Sequence, residues 1–252
     1  MQLVRERLQH SLSNDGIFSD AHCHLDLFEN PAEAVEVSRK NRVGLIITSG
    51  GGEGSNVKVY ALAKGIVYGV VGVDPGYSES GYSEIEQLEG IIKSNKNIIG
   101  IGEVGLDRSI SDRVSMEMQR KAFMAQVEIA IKLEVPLVIH SRGMMAEIQD
   151  ILKERGVRKA VFHFFEGGVE EAKKAEKEGY LVSIPPAMTS KRKRAVSAID
   201  ISSIAAETDS PVVGKTPADI VGVVSSIAAI KGIGTYDAAE IITKNIKDYF
   251  YI

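Results

Sequence analysis

"GIFSDAHCHLD", residues 16–26, is the stretch on which the reading of the fold turns. A short apolar approach, Ile17-Phe18, runs into two histidines one residue apart, His22 and His24, with Asp20 and Asp26 on either side. In an extended strand, side chains i and i+2 point the same way, so both imidazoles share a face and Cys23 takes the other. Two neutral imidazoles converging at a strand end are a natural start for a metal site. A pair of buried, hydrogen-bonded histidines would read the same, so the rest of the chain has to decide.

Outward from this stretch the pattern repeats. Apolar runs rich in Val and Ile occur at Gly16–His24, Gly44–Thr48, Ile66–Val73, Ile98–Glu103, Pro136–His140, Ala160–Phe164, Tyr180–Ile184 and Ile204–Asp209. They are apolar on consecutive positions, as strands buried on both faces of a parallel sheet are. Between them lie helical segments. "SEIEQLEGIIKSN" and "VEEAKKAEKEG" end in Asn or Gly stop signals. "MEMQRKAFMAQVEIAIKLE" repeats apolar residues at Phe123, Val127, Ala130 and Ile131, which is helical spacing. "AEIQDILKERG", the shorter "RAVSAI", "ADIVGVVSSIAAI" and "YDAAEIITKNIKDYF" complete the set. Eight strand-like runs alternating with helices in 252 residues have the size and rhythm of an α/β fold of the (β/α)8 TIM-barrel type. A doubly wound open sheet is the rival, but its G-x-G-x-x-G fingerprint does not follow the first strand. "GGGEG" at Gly50–Gly54 lacks the Lys-Ser/Thr of a P-loop and is expected to be a flexible loop.

Composition bounds the rest. There is no low-complexity stretch and no linker, so one barrel domain over residues 17–252, preceded by an extension at 1–16, is the expectation. The lone cysteine, Cys23, excludes an intrachain disulfide and suits a reducing compartment. The first residues carry no apolar core of a signal peptide, and no run is long enough to span a bilayer. A cytoplasmic protein with no membrane association and no obligate protein partner is expected. A net charge of −4 argues against a broad nucleic-acid surface and leaves room for a local basic patch.

Polar residues at the ends of the other runs change the odds for His22 and His24. The fourth run ends in Glu103, the fifth in His140, the sixth near His163 and the eighth in Asp209. Each is metal-capable and sits where barrel enzymes carry their chemistry. Any one of them alone could be a satisfied core group. Together, unpaired and buried, they would cost several kcal/mol each, roughly, and a cation would offset that cost for all of them. His10, the remaining histidine, lies in the polar N-terminal stretch and is expected to be solvated.

The ordered set "DAHCHLD", "GEVGLD", "VIHSR", "HFFEGG" and "ETDSP", closing with "TKNIKDYF", resembles the TatD-type metal-dependent hydrolases, a family of DNases within the amidohydrolase superfamily. The resemblance runs from about Ile17 to Phe250. It implies two divalent metal ions: His22, His24 and Asp209 on one, His140 and His163 on the other, and Glu103 bridging them. Four histidines tilt the choice toward Zn²⁺ or Mn²⁺, while phosphoester work also suits Mg²⁺, so all three stay open. A metal pair lowers the pKa of a bound water, presents it as hydroxide and neutralises charge on the attacked ester. Asp209 would be both ligand and proton shuttle, and Glu103 a fixed bridge. The implied activity is that of a deoxyribonuclease or other phosphodiesterase acting on single-stranded nucleic acid. Two alternatives are an amide, lactone or other ester hydrolase on a small molecule, and a metal-binding barrel without turnover.

The chain departs from the family pattern in three places. Asp74, in "GVDPGY", stands where the family has a substrate-facing histidine, either as a proton donor or as a turn cap before Pro75. Glu166, in "HFFEG", replaces a hydroxyl and would add negative charge to the mouth. "GKTPAD" shortens a segment that carries a basic contact in the family. Against these, Arg142 is a candidate phosphate contact, its alternative being a loop salt bridge. Lys191–Arg194 ("KRKR") either grips phosphate or forms a solvated helix start.

Overall fold

The structure is a computed structural model and describes residues 16–252. The expectations for His10 and for the rest of the N-terminal extension before Gly16 fall outside the described residues. Eight strands form one parallel sheet in which each pairs with the next in sequence: β1 (Phe18–Cys23), β2 (Val43–Ser49), β3 (Val67–Val71), β4 (Ile98–Asp107), β5 (Leu137–Arg142), β6 (Ala160–Phe162), β7 (Leu181–Ile184) and β8 (Ile204–Ala206). The seam between first and last strands is closed just beyond them. Asp209 N–H donates to His22 O at 2.9 Å, and His24 N–H donates to Ser210 O at 2.7 Å. The expected TIM barrel is the fold, and the consecutive apolar runs are its staves: every residue of β1 and of β4 is buried.

Nine helices cover the barrel among the described residues: α1 (Pro31–Lys40), α2 (Ser55–Leu62), α3 (Leu88–Ser94), α4 (Met116–Leu133), α5 (Met145–Glu154), α6 (Val169–Lys177), α7 (Ser190–Ala198), α8 (Ile220–Lys231) and α9 (Thr235–Phe250). The sequence reading places neither α1 nor α2. Yet α1 has an ordinary start, with Pro31 in the first turn and the Asn30 side chain accepting from Glu33 N–H. The "GGGEG" stretch is the lead-in to α2, whose N-cap Gly54 takes φ 67°. Helix α7 begins at Ser190, ahead of the expected "RAVSAI", because Thr189 caps it through Arg192 N–H. "KRKR" is therefore the opening of a helix.

Helix α4 shows how the core supports the strand ends. Phe123, Val127 and Ala130 are buried as its spacing predicts, whereas Ile131 is 38% exposed. Each fully buried large apolar side chain contributes on the order of 1.5–3 kcal/mol. The same buried stripe carries two glutamines, Gln119 and Gln126. Gln126 accepts from Val73 N–H at 2.7 Å and donates to Val73 O at 3.0 Å. Gln119 does the same for Asp107, at 2.8 and 3.1 Å. Backbone just past the end of β3 and at the end of β4 is thereby satisfied where it would otherwise be buried unpaired. No single helix among the described residues is long and apolar enough to cross a membrane.

Candidate metal centre

All six residues expected to hold metal converge at the C-terminal end of the barrel. The pair on β1 behaves as an i, i+2 pair should: His22 Nε2 and His24 Nε2 lie 3.2 Å apart. Asp209 Oδ1 completes a trio, 3.7 Å from His22 Nε2 and 3.4 Å from His24 Nε2. A second trio stands beside it. Glu103 Oε1 is 2.8 Å from His140 Nδ1 and 2.9 Å from His163 Nε2, and those two nitrogens are 3.5 Å apart. The other oxygen of the same carboxylate, Glu103 Oε2, faces the first trio at 3.5 Å from His22 Nε2 and 3.6 Å from His24 Nε2. One carboxylate thus presents an oxygen to each half of the centre.

The strand holding Glu103 differs from expectation. β4 does not stop at Glu103 but runs on to Asp107, with a register shift against β5 between Ile101 and Val104. Gly105, at φ 150°, lets the extended strand pass the β5 backbone, since a Cβ there would collide with the His140 carbonyl. On the far side of the barrel Asp20 ties β1 to the segment carrying Asp209. It is fully buried and accepts from Thr208 N–H at 2.9 Å and from the Thr208 hydroxyl at 2.5 Å. Burial pushes its carboxyl well above the usual range. Asp209 itself sits at φ 49°.

The electrostatics couple one buried carboxylate to the imidazoles around it. Burial opposes ionisation of Glu103, yet the His163 charge beside it and the hydrogen bonds from His140 and His163 hold it well below the usual carboxylate range. Burial lowers His22 well below an ordinary histidine, so its imidazole is neutral, the form that ligates metal. Its Nδ1 is buried without a partner. Burial works against the charged forms of His140 and His163, but the hydrogen bonds His140 donates to Asp107 and Glu103 lift it to about 9 and the Glu103 charge lifts His163 well above normal. Nitrogen and oxygen ligands at ~2.1 Å from one tetrahedral ion lie about 3.4 Å from each other. The first trio, at 3.2 to 3.7 Å, matches that spacing. Two of the groupings, His22 with His24 and Asp209, and His22 with Glu103 and His163, have the compactness of a metal site. The donor set therefore fits divalent ions.

A cavity of about 350 Å³ opens onto this cluster. Arg142 and Glu166 line it, as expected of substrate contacts, together with Phe164, Val212 and Val213. Asp74 does not line it. Its Oδ1 accepts from Gly76 N–H at 2.6 Å, so it caps the turn that Pro75 begins, Pro75–Tyr77. Burial, and next the Glu103 charge, raise its carboxyl to about 6. The "KRKR" stretch is divided. Lys191 and Arg194 are exposed and do not line the cavity. Arg192 is buried, donates to Phe165 O at 2.8 Å and lays its guanidinium over the Phe164 ring at 5.3 Å. Phe164 sits at φ 45°, an uncommon conformation for a bulky residue and one met mainly at functional sites.

Sequence reasoning assigns no role to two carboxylates that touch the cluster. Asp107 Oδ2 lies 3.1 Å from His140 Nε2. Glu207, fully buried, accepts from Phe164 N–H at 2.6 Å and lies 3.5 Å from His163 Nδ1. Both fall inside quoted motifs, "GEVGLD" and "ETDSP", whose acidic residues were the available signal.

Comparison with known proteins gives concordant matches. The family described as TatD related DNase matches residues 19–251. A metal-dependent hydrolase of Methanocaldococcus jannaschii, itself uncharacterised, is 31% identical over 246 residues, covering 92% of this chain and 96% of its own. The human deoxyribonuclease TATDN3 is 28% identical over 256 residues, with 92% and 93% covered. Among solved structures, the TatD homologue YjjV of Escherichia coli superposes with a TM-score of 0.87 over 94% of this chain and 98% of its own, at 23% identity, a likeness of fold.

Proposed function

The chain belongs to the TatD-related DNase family, a family of metal-dependent hydrolases, and from that premise we propose that it cleaves phosphodiester bonds in single-stranded nucleic acid. The observation that carries this reading is the Glu103 carboxylate, one oxygen toward each of two imidazole pairs. His22, His24 and Asp209 would hold one divalent ion, His140 and His163 the other, and Glu103 both. When bound, such a pair supplies positive charge that neutralises the attacked ester and acidifies the attacking water.

The chain's own groups do the rest. Asp209 Oδ1 stands at the edge of the first trio and lines the cavity, so it is the acceptor for the proton that the attacking water gives up. Glu103 is committed to holding the centre and would lose that hold on protonation. Arg142 at the mouth offers a fork of donors to a phosphate. Phe164, Val212 and Val213 give the cavity an apolar wall against which a base can lie.

A second reading, hydrolysis of an ester, amide or lactone in a small neutral molecule, is favoured by Glu166, whose carboxylate lines the same cavity and repels a polyanion. The separating experiment uses EDTA-stripped protein reconstituted with Mg²⁺, Mn²⁺ or Zn²⁺, and follows nucleotide release from single-stranded DNA beside a panel of small esters and amides. Metal-dependent release that vanishes in Asp209→Asn supports the nuclease. Metal-loaded protein that releases no nucleotide but turns over a small ester gives the second reading.

A further inference from the structure

We infer that Asp107 is a positioning residue for His140, and that the half of the centre built on His140, His163 and Glu103 therefore holds its ion more tightly than the half built on His22, His24 and Asp209. The inference rests on the ligand assignment proposed above and goes beyond it in ranking the two halves.

His140 has its two nitrogens committed to different tasks. Nδ1 faces the trio, 2.8 Å from Glu103 Oε1 and 3.5 Å from His163 Nε2. Nε2 points away from it, 3.1 Å from Asp107 Oδ2. A carboxylate on the far nitrogen of a ligating imidazole keeps the proton there, fixes the ring's orientation and makes the near nitrogen a better donor to metal. Asp107 is built to stay in place. It is 6% exposed, and its other oxygen, Oδ1, accepts from Ser109 N–H at 2.7 Å and from the Ser109 hydroxyl at 2.6 Å. Its backbone is clamped by Gln119. Rotation of the carboxylate would break both Ser109 contacts, so Oδ2 is held toward the imidazole.

His163 has a carboxylate nearby but no hydrogen bond to it. Its far nitrogen, Nδ1, faces Glu207 Oε1 at 3.5 Å, and that oxygen is anchored by Phe164 N–H. His22 contrasts with His140. Its Nδ1 is buried with no hydrogen-bond partner, so no carboxylate fixes its ring from behind, and the ring packs against His163 at 4.0 Å between centroids. A hydrogen-bonded carboxylate stands behind His140 in one half of the centre, and His22 in the other half has none.

Zn²⁺ titration of chelator-stripped protein, in competition with a chromophoric chelator, tests this. Wild type should take up two equivalents in two classes. Asp107→Ala should weaken the tighter class about 10- to 100-fold and leave the weaker one unchanged. Asp209→Asn should weaken only the weaker class. Circular dichroism and thermal melting of the stripped proteins check that the variants are folded. If Asp107→Ala does not fold, Asp107→Asn carries the test: with its amide oxygen kept on Ser109 N–H, it turns an NH2 toward His140 Nε2 and removes the charge, and weakening of the same class by at least several-fold is expected. Wild-type affinity for the tighter class in these folded Asp107 variants would overturn the inference. So would loss of the tighter class in Asp209→Asn. Protein that takes up no ion overturns it together with the ligand assignment. The readout is affinity, so a negative nuclease assay leaves the inference standing.

Discussion

Asp74→Asn separates the two roles open to the residue that replaces the family's third-strand histidine. The Asp74 carboxyl caps its turn through Oδ1 and has its pKa raised to about 6 by burial and by the Glu103 charge, against 3.8 for an ordinary aspartate. A folded-state value above the unfolded one means that the folded protein holds the proton more tightly. Stability from this group is present below about pH 4 and is lost as pH rises through 6. A shift of about two units corresponds to roughly 3 kcal/mol, and the partial solvent access of Asp74 reduces this to about 1–3 kcal/mol. Asparagine keeps the Oδ1 acceptor for Gly76 N–H and removes the charge. In chelator-stripped protein, urea unfolding should therefore give equal stabilities for variant and wild type at pH 4. A gap should open through pH 6, to about 1–3 kcal/mol in favour of the variant at pH 7.5. Turnover should be unchanged, because Asp74 lies outside the cavity lining. Equal stabilities at pH 7.5, or a variant less stable there, would refute the electrostatic argument. A fall in kcat with the stability gain intact would return Asp74 to the substrate.

Gly105→Ala should cost about 2–4 kcal/mol by denaturant unfolding and weaken metal uptake, because the new Cβ meets the His140 backbone where β4 passes β5. Wild-type stability and metal content would show that the strand can give way there. Arg192→Ala should lower stability by about 1–3 kcal/mol, since it leaves the buried Phe165 carbonyl without its donor. Charge reversal at Lys191 and Arg194 should stay within about 0.5 kcal/mol and leave KM on DNA and its salt slope unmoved. A raised KM would restore a phosphate grip to that helix start.

The barrel was legible because its strands are apolar on consecutive positions, a pattern that buried parallel strands need and surface segments do not. The six clustered residues were legible for a related reason: each is a metal-capable side chain at or near the end of such a run, where it has no other obvious partner. Asp107 and Glu207 were not, because sequence shows that a carboxylate is near a motif but not which imidazole nitrogen it faces. Gln119 and Gln126 were missed because polar residues on a helix read as surface. Only the fold shows that they share the stripe of Phe123 and Val127 and satisfy Asp107 and Val73. Arg192 was hidden in a basic run whose other members are solvated, although capping by Thr189 turns it inward. Helix α1 carried a capping signal in Asn30-Pro31 without a clear apolar stripe, and α2 has no side-chain cap to mark its start.

The central claim is that Glu103 stands between two ions. Anomalous scattering from crystals of the protein loaded with Zn²⁺ or Mn²⁺, collected at the metal edge, tests it directly. Two peaks about 3.5–4 Å apart are predicted, one against His22, His24 and Asp209, the other against His140 and His163, with Glu103 reaching both. A single peak, or two peaks of which neither touches Glu103, would contradict the account.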